Sequence, residues 1–425
     1  MRYLLISISV LFLFVNASAQ TNTNLRTLEK KGDSLYLKRN YLQAINNYKN
    51  VADQTDFSSK KAAIFYSMGC CFSLHGDDDS AFNYLAKAVE NGYDNKDWMI
   101  VDKDLLKLHN LPRWKPLVNS VKSTKTLNSD PLRASFHTDD IHHFWAAYDK
   151  ALEDTAHFRS IFKQMYFDVA SRGLKEYLGA KVSSIDSYLA IIKSMPKYYS
   201  AIRGNTLYAD NLKPTYIAIF QHFKTLYQPA VFPDVYFLMG GFNAGGTATH
   251  AGLLIAMDQT AKDATIPLDE LNSKNKSGLD DIANLPLAVA HELIHYQQDG
   301  MKMSDTTVLG NCIIEGMADF FAELSGHSPG NLYHYKWAEG KEKEIWKKFK
   351  KEMYTGKFRP WIYLNENTTD DNPPMQGYWV GCQICKAYYE KAADKKKAVY
   401  DMLHLQDYKQ FLAKSGWEKK LERSY

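Results

Sequence analysis

The chain has 425 residues, with 52 basic and 48 acidic side chains and a formal charge of +4. Charges of both signs are spread along it, which excludes the basic stripe of a nucleic-acid-binding surface; the Lys-rich stretches at 341–351 and 395–397 read as solvated helix faces. Five cysteines in a chain this long exclude a disulfide scaffold: Cys70, Cys71 and Cys312 read as small apolar core residues, and Cys382-x-x-Cys385 lacks both a second pair and a thioredoxin-like setting.

Met1-Arg2, an apolar run from Leu4 to Val15 and Ala17-Ser18-Ala19 have the layout of a secretory signal peptide over residues 1–19, with cleavage after Ala19. The run is too short to span a bilayer, no later stretch approaches the roughly 20 apolar residues a spanning helix needs, and no cysteine lies near the cleavage site to carry a lipid. The expected location is periplasmic or secreted, with no transmembrane segment once the signal is removed.

Residues 20–122 form the next expected domain, and within them the sequence repeats. Gly32, Leu35, Ala44, Tyr48 and Val51 align with Gly69, Phe72, Ala81, Leu85 and Ala88 at one constant offset. Small residues stand where two antiparallel helices would approach, and large apolar ones fill the space between. This pattern resembles a pair of tetratricopeptide repeats. Two repeats cannot bury their own faces, so residues 97–121, with Trp98, Leu105, Leu106, Leu108 and Trp114, are expected to cap them. Such a module either receives a protein partner or serves as a rigid packing block.

The polar segment 123–131, ending in Pro131, is the expected linker, and a second domain is expected over residues 132–425. It opens with amphipathic helical stretches: the stripe Ile141, Phe144, Trp145, Tyr148 and Leu152 behind Asp139 and Asp140, then 157–177, 184–193 and 214–227. The period then changes. Val235–Met239 and Leu253–Met257 are short apolar runs, read as two strands joined by the Gly-rich 240–247 connection, which no Gly-Lys-Ser/Thr follows as a phosphate loop would require.

A helix follows, with Asn284 as its expected N-cap and Pro286 in its first turn. It carries His291-Glu292-Leu293-Ile294-His295. Residues four apart share a helical face, so both imidazoles can reach one ion, while Glu292 stands beside them as a general base must. Downstream, Ile313–Ala322 reads as a second apolar helix with Glu315 as third ligand and Asp319, one turn on, accepting the second ring N–H of His291. Gly316 is expected where these two helices come close. Carboxylates on so apolar a helix need partners, and a metal with a histidine would supply them. His250 and the group His137, His142 and His143 have no carboxylate at comparable spacing and read as surface or capping residues.

His291-Glu292-x-x-His295 with Glu315-x-x-x-Asp319 resembles the gluzincin class of zinc metallopeptidases. The second domain as a whole, including Gly245-Gly246-Thr247 and Gly377-Tyr378, more closely resembles bacterial predicted zinc-dependent proteases related to a gliding-motility lipoprotein. The resemblance implies a mainly α fold with a small β-sheet, a zincin-like α+β catalytic domain behind an α-helical repeat module. It implies Zn2+ on His291, His295 and Glu315, a water with its pKa lowered towards about 7, and Glu292 taking that water's proton as it attacks a peptide carbonyl. It also implies a Tyr or His donor for the oxyanion. Tyr378, which opens an apolar helix after a Pro/Gly-rich loop, is favoured over His327 and His334, and the strand at Leu253–Met257 resembles the edge on which such enzymes pair an extended substrate. The expected function is an exported zinc metallopeptidase acting on peptides or proteins. The alternatives are a zinc-containing binding or assembly protein of the cell envelope that recruits partners through its repeats, and a zinc hydrolase of cell-wall peptides or other amides.

Overall fold

A computed structural model describes residues 25–302, 305–326, 332–363, 373 and 375–423, so the expected signal peptide lies outside the described residues. The described residues are mainly helical with one four-stranded sheet, and they separate into two compact units.

Among the described residues, the first unit comprises residues 25–125 and 142–196. Four helices begin it: α1 (25–37), α2 (Tyr41–Gln54), α3 (Ser58–His75) and α4 (Asp78–Glu90). A side chain on Gly32 would overlap the Tyr48 ring, and one on Gly69 would overlap Leu85. These are equivalent positions of the repeat, so the same glycine lets the same partner close each helical pair. Gly76, at φ +100°, ends α3 in a backbone region that favours glycine, and the Asp77 side chain accepts the Ser80 amide at 3.0 Å to start α4. Met99, Leu105, Leu108 and Trp114 then bury themselves against the second pair, whereas Trp98 and Leu106 stay about half exposed.

The unit does not stop at the polar segment expected to be a linker. The Ser59 hydroxyl donates to the Lys175 carbonyl at 2.6 Å, and the Arg159 guanidinium bridges Asp56 at 3.0 Å and Asp186 at 2.9 Å. Helices from 142–196, assigned by sequence to the second domain, thus share a compact unit with the repeats. The polar segment itself is partly tied down elsewhere: the Asn128 carbonyl accepts the Phe232 amide at 2.6 Å, and its side-chain amide donates to the Phe232 carbonyl at 3.0 Å.

The second unit comprises the described residues of 126–141 and 197–423. Its sheet holds β1 (Phe136–His137), β2 (Val235–Leu238), β3 (Gly246–Thr249) and β4 (Gly252–Ala256) in the order β1-β2-β4-β3. β1, β2 and β4 run parallel; β3 is antiparallel to β4, with Gly246 opposite Ile255 and Thr249 opposite Gly252. The two expected strands are β2 and β4. The expected edge strand requires correction, because β4 is interior, buried along its whole length, and β3 forms the edge. β3 reads Gly-Thr-Ala-Thr, without the apolar run that marks a strand buried on both faces, and so hides inside the Gly-rich connection.

Beside the sheet lie α5 (Lys213–Leu226) and α6 (Leu285–Gln297), followed by α7 (Val308–Gly326) and α8 (Gln376–Lys391). α6 is apolar almost all round, as a buried helix must be, and packs against β3, β4, α5 and α7. Its entry differs from expectation. Asn284 makes no side-chain cap; it donates to Asp280 Oδ1 at 2.7 Å, and Asp281 caps a single 3₁₀ turn that leads into the helix, with Pro286 in the first turn. Gly316 also has a different partner. A Cβ there would overlap the Gly381 and Cys382 backbone of α8, and a Cβ on Gly381 would overlap the Cys312 carbonyl, so the glycine pair brings α7 onto α8, not onto α6. All five cysteines are free and buried. Among the described residues no helix is long and apolar enough to cross a membrane.

Candidate metal centre

α6 and α7 pack side by side, and the turn spacing of each helix delivers its polar residues to the shared face. His291 and His295 come from α6, Glu315 and Asp319 from α7. The two Nε2 atoms lie 3.0 Å apart, and Glu315 Oε2 lies 3.2 Å from His295 Nε2 and 3.5 Å from His291 Nε2. Donor atoms about 2.0–2.1 Å from a tetrahedral zinc stand about 3.3 Å from one another. The two imidazoles and one carboxylate therefore fit that ion in both donor type and mutual spacing.

Each imidazole is held from behind. His291 Nδ1 lies 2.8 Å from Asp319 Oδ1, and the Asp319 side chain is only 1% exposed. With Nδ1–H donating to that carboxylate, Nε2 keeps its lone pair for a metal. His295 Nδ1 lies 2.8 Å from Gln298 Oε1. The Gln298 amide has its orientation fixed, because its Nε2 donates to the Ile314 carbonyl of α7 at 2.9 Å. Gln298 was missed in the sequence, although its place three residues after His295 on the same helical face was a usable signal.

The electrostatics follow from this packing. Burial pushes the Glu315 carboxyl up, but the charges and hydrogen bonds of His295 and His291 outweigh it and hold the group well below the usual carboxylate range. Burial pulls both imidazoles down, yet Asp319 and Glu315 raise His291 well above its ordinary value, and Glu315 raises His295. The site is built to concentrate positive charge, which a divalent cation would supply.

Glu292 sits beside the two histidines and is 8% exposed. Above it lies Gly246, the first residue of the edge strand, where a side chain would overlap Glu292 Oε1. Tyr378 comes from the first turn of α8, which the Gly316–Gly381 contact draws against α7. Its ring stacks on His291 with centroids 5.9 Å apart and planes 17° from parallel, within electrostatic reach of Glu315. Burial, followed by the Glu315 and Asp319 charges, pushes this phenol well above its ordinary pKa, so it stays protonated. Tyr363, half exposed, is a second phenol within electrostatic reach of Glu315 that the sequence did not single out. His327 and the His334 side chain lie outside the described residues.

The structure thus gathers His291, Glu292, His295, Glu315, Asp319 and Tyr378 around one point. A second group of potential ligands, Cys70, Asp102 and Asp104 in the first unit, is already spent internally. Asp102 accepts from the Tyr66 hydroxyl at 2.7 Å, the Asp104 amide at 3.0 Å and the Cys70 thiol at 3.6 Å, and Asp104 accepts from the Tyr36 hydroxyl.

Residues 270–410 match the model of a family described as predicted Zn-dependent protease (DUF2268), a span of 141 of the 425 residues that contains α6, α7 and α8. No curated protein and no solved structure matches the chain.

Proposed function

We propose that this chain is an exported zinc metallopeptidase of gluzincin type that hydrolyses peptide bonds in peptide or protein substrates. The observation that carries the reading is the convergence of His291 Nε2, His295 Nε2 and Glu315 Oε2 within 3.5 Å of one another, with Glu292 alongside. The family match, to predicted Zn-dependent proteases, supports the same metal and the same reaction class.

Bound there, zinc would acidify a water and polarise a carbonyl. The protein's own part is the following. Asp319 and Gln298 fix the tautomers that turn both Nε2 atoms to one point. Glu292, adjacent to that point and not among the ligands, accepts the proton of the attacking water and returns it to the leaving amine. Tyr378, protonated and beside Glu315, supplies a hydroxyl for the developing oxyanion. The outer edge of β3 offers main-chain groups to an extended peptide, and its small side chains, Gly246, Thr247, Ala248 and Thr249, place little demand on the sequence bound.

The helical pairs of the first unit, read as tetratricopeptide-type repeats, are proposed to engage a protein partner or substrate, and the 1–19 segment to direct export to the periplasm or medium. The rival reading, an envelope assembly protein with structural zinc, would leave Glu292 and the edge strand without a task. Incubating the purified chain with a diverse peptide library, with and without a chelator, separates the two. Cleavage that stops on chelation and returns with added zinc is expected. Retained zinc with no cleavage, together with a stable binding partner, would favour the assembly role.

A further inference from the structure

The Gly-rich connection between β2 and β3 has the look of an anion-binding loop, and the structure shows what fills it. Gly241 and Phe242 both take left-handed backbone conformations, at φ +65° and +57°. That geometry turns successive amides of the 240–242 turn inward, the concave nest that binds anions. The group that fills it is the chain's own: Asp258, fully buried in the helical turn Met257–Thr260 that follows β4, accepts the Gly240 amide at 2.8 Å on one oxygen and the Phe242 amide at 3.0 Å on the other. The Tyr199 hydroxyl donates to the same carboxylate at 3.0 Å, the Tyr198 hydroxyl donates to the Asp258 carbonyl at 2.9 Å, and the Phe242 ring packs edge-on against both tyrosines. A left-handed Phe is costly without such support. Beyond the turn the chain passes through Gly245, whose carbonyl accepts the Ala256 amide at 2.8 Å, directly into Gly246 above Glu292.

We propose that Asp258 is a positioning residue: by holding the 240–242 turn closed it sets the height and register of the edge strand over Glu292, and so governs the binding of extended substrates. The proposal rests on β3 being the substrate-pairing strand. It also assigns the turn no external phosphate, since its inward amides are already committed.

The test is hydrogen exchange on the full chain and on Asp258→Asn, which keeps size but sets an amide N–H against a backbone N–H, and on Tyr199→Phe, which deletes one hydroxyl. Amides of residues 240–249 are expected to exchange about tenfold or more faster in Asp258→Asn, the scale of one charge-assisted hydrogen bond. Tyr199→Phe should give a smaller rise in the same segment, and residues 285–297 and 308–326 should keep their wild-type rates in both variants. Unchanged exchange at 240–249, or acceleration shared equally by 285–297, would overturn the anchoring role. With zinc retained, KM for a long peptide should rise about tenfold with kcat little changed, whereas a blocked dipeptide too short to pair with the strand should be cleaved as before. Equal losses on both substrates would overturn the link to binding. A wild-type chain that cleaves neither would refute the peptidase reading and this link with it, and the exchange data would still decide the anchor.

Discussion

At the scale of single residues, the candidate metal centre is organised by what stands behind His291 and His295. Asp319 and Gln298 each accept from an imidazole Nδ1, and Gln298 also ties the end of α6 to the α7 backbone through Ile314. Gln298→Ala should therefore weaken zinc binding by about 10 to 100-fold with the fold intact, measured by competition with a chelating dye. Protonation predicts a further behaviour. In the metal-free protein the Glu315 carboxyl is depressed, so its stabilising contribution is present above the ordinary carboxylate range and lost as pH falls through its folded value. His291 and His295 are raised, so theirs is fully present below the unfolded imidazole value of about 6.5 and lost as pH rises through their folded values. Zinc must displace those imidazole protons. The rise in Tm on adding zinc should accordingly be small near pH 5.5 and larger near pH 8, and a pH-independent rise would contradict ligation by these two histidines.

At the scale of elements, two glycines place the site and should fail in different ways when given a side chain. Gly246→Ala presses a methyl onto Glu292 Oε1, the far end of a flexible side chain. Stability should change by less than about 1 kcal/mol, while hydrolysis falls and zinc stays bound. Gly381→Ala presses a methyl onto the Cys312 carbonyl of a packed helix, which cannot yield, and should cost about 3 kcal/mol in denaturant unfolding. These elements also show what the sequence made legible. His291, Glu292, His295, Glu315 and Asp319 were readable because helical spacing turns sequence distance into a shared face. β3 was not, because an edge strand of Gly, Thr and Ala has no apolar signature, and neither was β1, with only two residues. The sequence sets Gly316 against α6, and the structure sets it against α8, because helical spacing does not reveal a partner supplied by residues some 60 positions further on.

At the scale of the whole molecule, the chain does not divide where its polar segment suggests. Residues 142–196 share a compact unit with the repeats, through Ser59, Asp56 and Arg159 among others. Long-range packing of this kind leaves no local mark, because the apolar face of a helix does not announce its partner. A chain truncated to begin at residue 132 should expose that face and unfold or aggregate well below the Tm of the full chain; equal Tm values would contradict the grouping. On the proposed reading, α6 and α7 build a zinc site that serves hydrolysis by Glu292. Its most direct test measures bound zinc and peptide turnover in parallel for the wild-type chain and for Glu292→Gln. Close to one equivalent of zinc is expected in both, with turnover reduced by about 100-fold or more in the variant. Zinc-free wild-type protein that takes up no metal, or turnover undiminished in Glu292→Gln, would contradict it.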